Sequence, residues 1–144
     1  MPLISNFHGD NFFLSNFFPA PVIYDGETYP TVEHAFQAAK TLDREQRKGI
    51  RVAETPAKAK QMGKVVTLRP DWDQERLATM LELLRQKFSQ PELRQKLLAT
   101  DDAELIEGNT WGDRFWGCEL VDGQWVGQNY LGKLLMQVRK EKDG

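Results

Sequence analysis

The chain has 144 residues, 28% charged and 40% hydrophobic, with a net charge of −2 and a single cysteine, Cys118. This composition excludes a disordered polymer and a disulfide scaffold, and no stretch approaches the ~20 apolar residues of a spanning helix. With no overall basic field, extended binding to nucleic acid or an anionic membrane is disfavoured, although a local phosphate site needs only a few donors.

One domain, 1–144, is the simplest organisation at this length. The opening MPLISNFHGD has no basic n-region and no long apolar run, so no signal peptide is expected. Together with the lone cysteine this predicts a cytoplasmic protein.

In chain order, the first 30 residues are rich in aromatics, Gly, Pro and Asn and predict short strands and turns. Within them PVIYDGETY sets Asp25-Gly26 between two β-prone runs, a hairpin signal, and Pro30 ends the second run. Thr31 is placed to cap a helix to about Leu42, with Val32, Ala35, Phe36 and Ala39 as its apolar stripe. A second helical piece covers 44–54. TPAKAKQMG predicts a short helix capped by Thr55, opened by Pro56 and stopped at Gly63.

Asp71 is placed to cap the long helix WDQERLATMLELLRQKF, whose Leu77, Met80, Leu81, Leu84 and Phe88 form a buried stripe. QPELRQKLLAT predicts another helix with Pro91 at its start. ELIEGNTWGDRFWGCELVDGQWVGQN carries five glycines and three of the four tryptophans, and predicts short strands joined by tight turns. A last helix presents Leu131, Leu134, Leu135 and Val138 on one face. The sum is a helix-rich α+β domain with a small sheet from the N-terminal strands and the Trp/Gly-rich segment.

At about 100° per residue, Glu33, Gln37 and Lys40 share one narrow stripe flanking the apolar face of their helix, where polar groups can line a cleft. The plain reading of Glu33 is an acid in a first turn, favoured by the helix dipole by about 0.3–1 kcal/mol. His34 stands beside it, and a lone histidine is more often structural than catalytic. No metal site is expected: His8 and His34 are far apart, Cys118 has no partner, and neither HExxH nor CxxC occurs. A buried, inert thiol is the favoured reading of Cys118.

In GNTWGDRFWG, glycines beside tryptophans let backbone approach a flat ligand, and an indole offers a stacking face. Trp111, Gly112 and Asp113 are the candidates there, with Trp72 at the start of the long helix, although tryptophans of small domains usually fill the core.

Taken together, FFLSNFFPAPVIYDGETYPTVEHAFQAAK, then MGK, WGD and GQNYLGKLLMQVR, resemble the NADAR family, the YbiA-like N-glycosidases, from about Asn6 to Arg139. The resemblance implies a compact α+β fold and an enzyme that hydrolyses a C–N glycosidic bond in a ribose-based substrate. That substrate is either a phosphoribosylamino-pyrimidine intermediate of riboflavin synthesis or ADP-ribose on a guanine base. The resemblance points to Glu33, Lys40 and Asp113 as catalytic. Gln37, His34, Trp72, Trp111, Gly112 and Asn129 would bind substrate. No metal or cofactor is implied. The partner is a small nucleotide or ADP-ribose-type molecule, free or carried on ADP-ribosylated nucleic acid, with no membrane partner; oligomeric state is not specified.

FWGCELVDGQWV, between the last two motifs, looks like a variable loop that bears on substrate choice. The alternative is a non-catalytic ADP-ribose or nucleotide reader, which would have no need of Glu33, Lys40 and Asp113 together. An interaction protein would call for a large exposed apolar patch.

Overall fold

The computed structural model describes residues 2–144, which form six α-helices, one 3₁₀ helix and six short strands, an α+β arrangement. In chain order these are β1 (Leu3–Ile4), the 3₁₀ helix Gly9–Leu14, β2 (Val22–Tyr24), β3 (Glu27–Tyr29), α1 (Val32–Ala39), α2 (Arg44–Arg51) and α3 (Pro56–Gly63). Then follow α4 (Trp72–Lys87), α5 (Pro91–Leu98), β4 (Glu104–Leu105), β5 (Glu119–Val121), β6 (Gln124–Val126) and α6 (Tyr130–Asp143). The elements divide into two units: Asn16–Lys87, and the residues up to Ser15 together with Phe88–Gly144. Among the described residues no helix is long and apolar enough to cross a membrane.

In the Asn16–Lys87 unit, Asp25 and Gly26 both take positive φ, 48° and 82°, the turn geometry that matches the twist of a tight hairpin. They join β2 to β3 in the expected register, Tyr24 opposite Glu27. Thr31 caps α1, its side chain accepting from the His34 N–H. The helix ends earlier than expected, at Ala39, with Lys40 as its C-cap. All eight residues of α1 are buried, because α2, α3, α4 and the hairpin pack around it. The polar stripe expected at a core boundary therefore lies inside this unit.

Asp43 caps α2, and Thr55 with Pro56 opens α3. Asp71 stands at the start of α4, its carbonyl accepting from the Gln74 and Glu75 N–H groups, and Arg69 holds both carboxylate oxygens, Nε at 2.6 Å and Nη2 at 3.0 Å. The buried face of α4 is also rotated from the expected stripe. It comprises Trp72, Met80, Leu83, Leu84 and Lys87, while Leu77 and Leu81 are half-buried.

In the other unit, β1 runs parallel to β4, pairing Leu3 with Glu104 and Ile4 with Leu105. The N-terminal strand thus meets the start of the Trp/Gly-rich segment, but among the described residues the strands do not join into a single small sheet. β2–β3, β5–β6 and β1–β4 are three separate two-stranded ladders, since strands of two or three residues closed by turns offer few ladder groups to a third. The 3₁₀ helix Gly9–Leu14, unforeseen in the sequence, buries Phe13 and Leu14 and packs against α5. α6 packs on α5 and β4; its buried residues are Leu131, Gly132, Leu135 and Val138, with Leu134 half-buried.

Candidate active site

A helix buried on all sides must find partners for every polar side chain it carries. For His34 the protein supplies them all. Its Nε2 lies 3.0 Å from the Ala53 carbonyl, and its Nδ1 lies 2.8 Å from Thr31 Oγ1. A carbonyl only accepts, so Nε2 carries the proton and Nδ1 takes the threonine hydroxyl's, which is the neutral ring. Burial lowers the His34 pKa, against a smaller opposing effect of the Ala53 carbonyl. Both nitrogens are spent within the fold, so the expected substrate contact from His34 has no atom to make it.

Glu33 is fixed differently. Its N–H donates to the Asn16 carbonyl at 3.1 Å, and its Oε2 accepts from Gln37 Nε2 at 2.5 Å, one helical turn on. Both side chains are buried. The other end of the Gln37 amide, Oε1, is buried without a hydrogen-bond partner. It rests against Gly63 of α3: a Cβ there would lie 1.8 Å from it. The expected alignment of Glu33 and Gln37 is therefore a real contact.

Lys40 follows at the end of the same helix, half-buried, its carbonyl accepting from the Arg69 N–H at 2.7 Å. Burial lowers the Lys40 pKa first of all; Glu33 opposes this, while Lys60 and Lys64 lower it further. Desolvation and cationic neighbours are the two conditions that make a lysine amine available as a nucleophile near neutral pH.

Trp72 does not offer an open face. It is 6% exposed and packs on Phe36 of α1, ring centres 5.1 Å apart and tilted 55°. Its indole fastens the start of α4 to α1 and does not stand as a stacking platform.

In the other unit, Trp111, Gly112 and Asp113 form a turn fixed from both sides. The buried Asn109 accepts from the Asp113 N–H at 3.1 Å and donates to the Asp113 carbonyl at 2.9 Å. Asp113 Oδ1 accepts from the N–H groups of Phe115 and Trp116. Gly112, at φ 88°, donates to Glu119, whose other oxygen takes Arg114 Nε at 2.9 Å. On this rigid turn Trp111 is 57% exposed.

Asn129 has a different task from the one expected. It holds φ 54° before α6, its Oδ1 accepts from the Glu107 N–H at 3.0 Å, and its Nδ2 donates to the Leu105 carbonyl at 2.9 Å. Both ends of the amide are used on backbone, which makes Asn129 a brace between α6 and β4. Cys118 is buried, and burial raises its thiol pKa, the setting of an inert cysteine. Among the described residues no group of three or more His, Cys, Asp or Glu side chains is placed to hold a metal ion.

Sequence reasoning missed Asn16, Gly63 and Asn109, each of which fixes a candidate site residue. Gly63 was read only as a helix stop, and nothing local announces that Asn16 or Asn109 meets its partner.

Residues 3–141 match the NADAR domain. Over 140 residues the chain is 42% identical to the N-glycosidase YbiA of Escherichia coli (strain K12), a match spanning 95% of this chain and 83% of that protein. It is 37% identical over 132 residues to a riboflavin biosynthesis protein of Vibrio vulnificus (strain YJ016), covering 90% of this chain and 35% of the longer relative. The fold is similar to the NMR structure of the E. coli protein YbiA, with a TM-score of 0.81 at 40% identity, covering 98% of this chain and 86% of that one. With sequence and fold matched over nearly its whole length, the chain belongs to the NADAR domain family.

Proposed function

We propose that Glu33, Gln37 and Lys40 are the sugar-side machinery of an enzyme that hydrolyses a ribose C–N glycosidic bond. The protein is an N-glycosidase, as its relatives are named. The observation that carries the residue assignment is the buried Glu33–Gln37 pair with Lys40 on the same helix, its ammonium disfavoured by burial and two lysines.

Breaking the bond puts positive charge on the ribose C1 and ring oxygen while the departing nitrogen takes a proton. A carboxylate at that centre stabilises the charge and can take a proton from the attacking water. Glu33 is assigned that work, with Gln37 holding the carboxylate in place. Lys40 gives a second route to the same products. An aminoglycoside opens at its ring oxygen to an iminium at C1, and the neutral Lys40 amine adds to that carbon. The base then leaves as the free amine, taking its proton through Glu33. Water hydrolyses the lysyl imine, returning the lysine and the free sugar. The lowered Lys40 pKa favours this route over direct attack by water.

The Trp111–Gly112–Asp113 turn by itself has the chemistry of a base-binding element: an exposed indole can stack on a flat ring, and Asp113 Oδ2 can bond to a ring nitrogen. The substrate is an anionic ribosylamine, either a phosphoribosylamino-pyrimidine or an ADP-ribosylated guanine, met as a nucleotide or on nucleic acid. A cytoplasmic site of action belongs to the same reading.

The test is a mass-spectrometric turnover assay offering both substrates to the wild type, Glu33→Gln and Lys40→Arg, with and without borohydride. Free base released by the wild type from one substrate, and lost in Glu33→Gln, supports the assignment and names the substrate. Borohydride should leave a sugar adduct on the wild type and none on Lys40→Arg. Full turnover by Glu33→Gln would sink the assignment. A wild type that turns over without any adduct would return the reaction to direct attack by water.

A further inference from the structure

We propose that Gly63 is a positioning residue for this reaction: its missing side chain leaves the room in which the Gln37 carboxamide lies against the Glu33 carboxylate, and so sets the orientation and basicity of that carboxylate. The inference rests on the catalytic reading of Glu33 given above.

The geometry is steric. A Cβ on Gly63 would stand 1.8 Å from Gln37 Oε1, 2.7 Å from its Cδ and 3.1 Å from its Cβ. Gly63 is not among the glycines with positive φ, so what this position demands is space and not backbone freedom. The amide is also oriented. Its Nε2 donates to Glu33 Oε2, and its Oε1 lies buried against Gly63 without a hydrogen-bond partner. The reversed amide would set two oxygens against each other at 2.5 Å, which is repulsive. Gln37 thus gives up one hydrogen bond to make the other, and the bare α-carbon of Gly63 is the surface that permits it.

A methyl group at position 63 would take the place of Oε1. The atom that must give way is the far end of a flexible side chain, so the amide turns while α1 and α3 stay packed. Glu33 then loses a donor that favours its ionised form, and its pKa rises. A base that must be ionised to act works only above its pKa, so the part of the acid limb that Glu33 sets moves to higher pH, while Lys40, which Glu33 holds up and Lys60 and Lys64 hold down, moves the opposite way.

The experiment compares the wild type, Gly63→Ala, Gln37→Ala and the double variant, with Glu33→Gln as control. Rates are measured as a function of pH on whichever of the two substrates above the wild type cleaves. Gly63→Ala should raise the acid limb by about one pH unit, which lowers kcat about tenfold on that limb and little on the plateau above it, with KM little changed. Gln37→Ala should do the same. The double variant should be no worse than Gln37→Ala, since no amide remains to be displaced.

A wild-type acid limb in Gly63→Ala, or losses that multiply in the double variant, would overturn the proposal. If Gly63→Ala fails to fold while the double variant folds, the steric contact stands and the Gln37→Ala profile decides, an unshifted limb counting against it. If neither folds, the obstruction is not Gln37 and the proposal falls. Full activity in Glu33→Gln sinks the underlying assignment, whereas an inactive Glu33→Gln beside an unshifted Gly63→Ala sinks this inference alone.

Discussion

Replacing Asn129 with alanine separates a brace from a substrate contact. The amide of Asn129 is the partner of the Glu107 N–H and the Leu105 carbonyl, and alanine supplies neither bond. Leaving two such backbone groups without a partner costs about 1–3 kcal/mol each, and an alanine held at positive φ adds about 1 kcal/mol. The expected loss is roughly 3–7 kcal/mol, or about 10–23 °C in Tm for a chain of this size. Asn129→Gly should recover only the backbone share, because the two orphaned groups remain. Gly132→Ala should be as damaging, since its Cβ would lie 2.1 Å from the Leu105 carbonyl oxygen and 2.4 Å from Asn129 Nδ2. Thermal unfolding of the three variants, with kcat and KM measured at 20 °C below each midpoint, reads both roles. An Asn129→Ala protein that melts within about 2 °C of the wild type but shows a raised KM would refute the reasoning and restore Asn129 as a ligand contact.

Two further outcomes follow from groups buried in the Asn16–Lys87 unit. Thr31→Ala removes the cap of α1 and the partner of His34 Nδ1 together, and should cost about 2–4 kcal/mol in urea unfolding, most of it restored in Thr31→Ser; equal losses in the two variants would contradict this. Lys87 is fully buried, its Nζ 5.5 Å from the centre of the Phe18 ring, and burial lowers its pKa to about 7. The unfolded chain binds that proton up to the ordinary lysine value and the folded chain only below about 7. Between those values the unfolded state therefore carries more protons, and stability rises with pH. Lys87→Met removes the titrating group, so the rise of stability between about pH 7 and pH 10 should be present in the wild type and absent in the variant. Parallel pH profiles for the two proteins would count against the argument.

What could be read from the sequence was local. Asp25-Gly26, Thr31, Thr55-Pro56 and Pro91 act within a turn of chain, and each sits where the structure uses it. The face of α4 was placed in part: Met80, Leu84 and Phe88 are buried as expected, but a 3.6-residue pattern gives every apolar residue equal weight, whereas packing chose Leu83 and a lysine over Leu77 and Leu81. His34 and Asn129 were read as ligand contacts because residue type shows only that a polar group needs a partner. The partners are Ala53 and Leu105, 19 and 24 residues away. Trp72 fell to the same limit: an indole at a helix start says nothing about Phe36 waiting beside it.

The polar residues of α1 sort themselves once that helix is seen to be buried on every side. His34 earns its place in the fold, tying α1 to Ala53 and to its own cap. Glu33 and Gln37 share a hydrogen bond within one turn of the same helix, and the remaining oxygen of Gln37 goes unbonded. Apolar side chains at positions 33 and 37 would fill the same space without the desolvation of a carboxylate and an amide. The hydrogen bond the two share does not by itself offset that desolvation, which supports the sugar-side role proposed for them beside a lysine of lowered pKa.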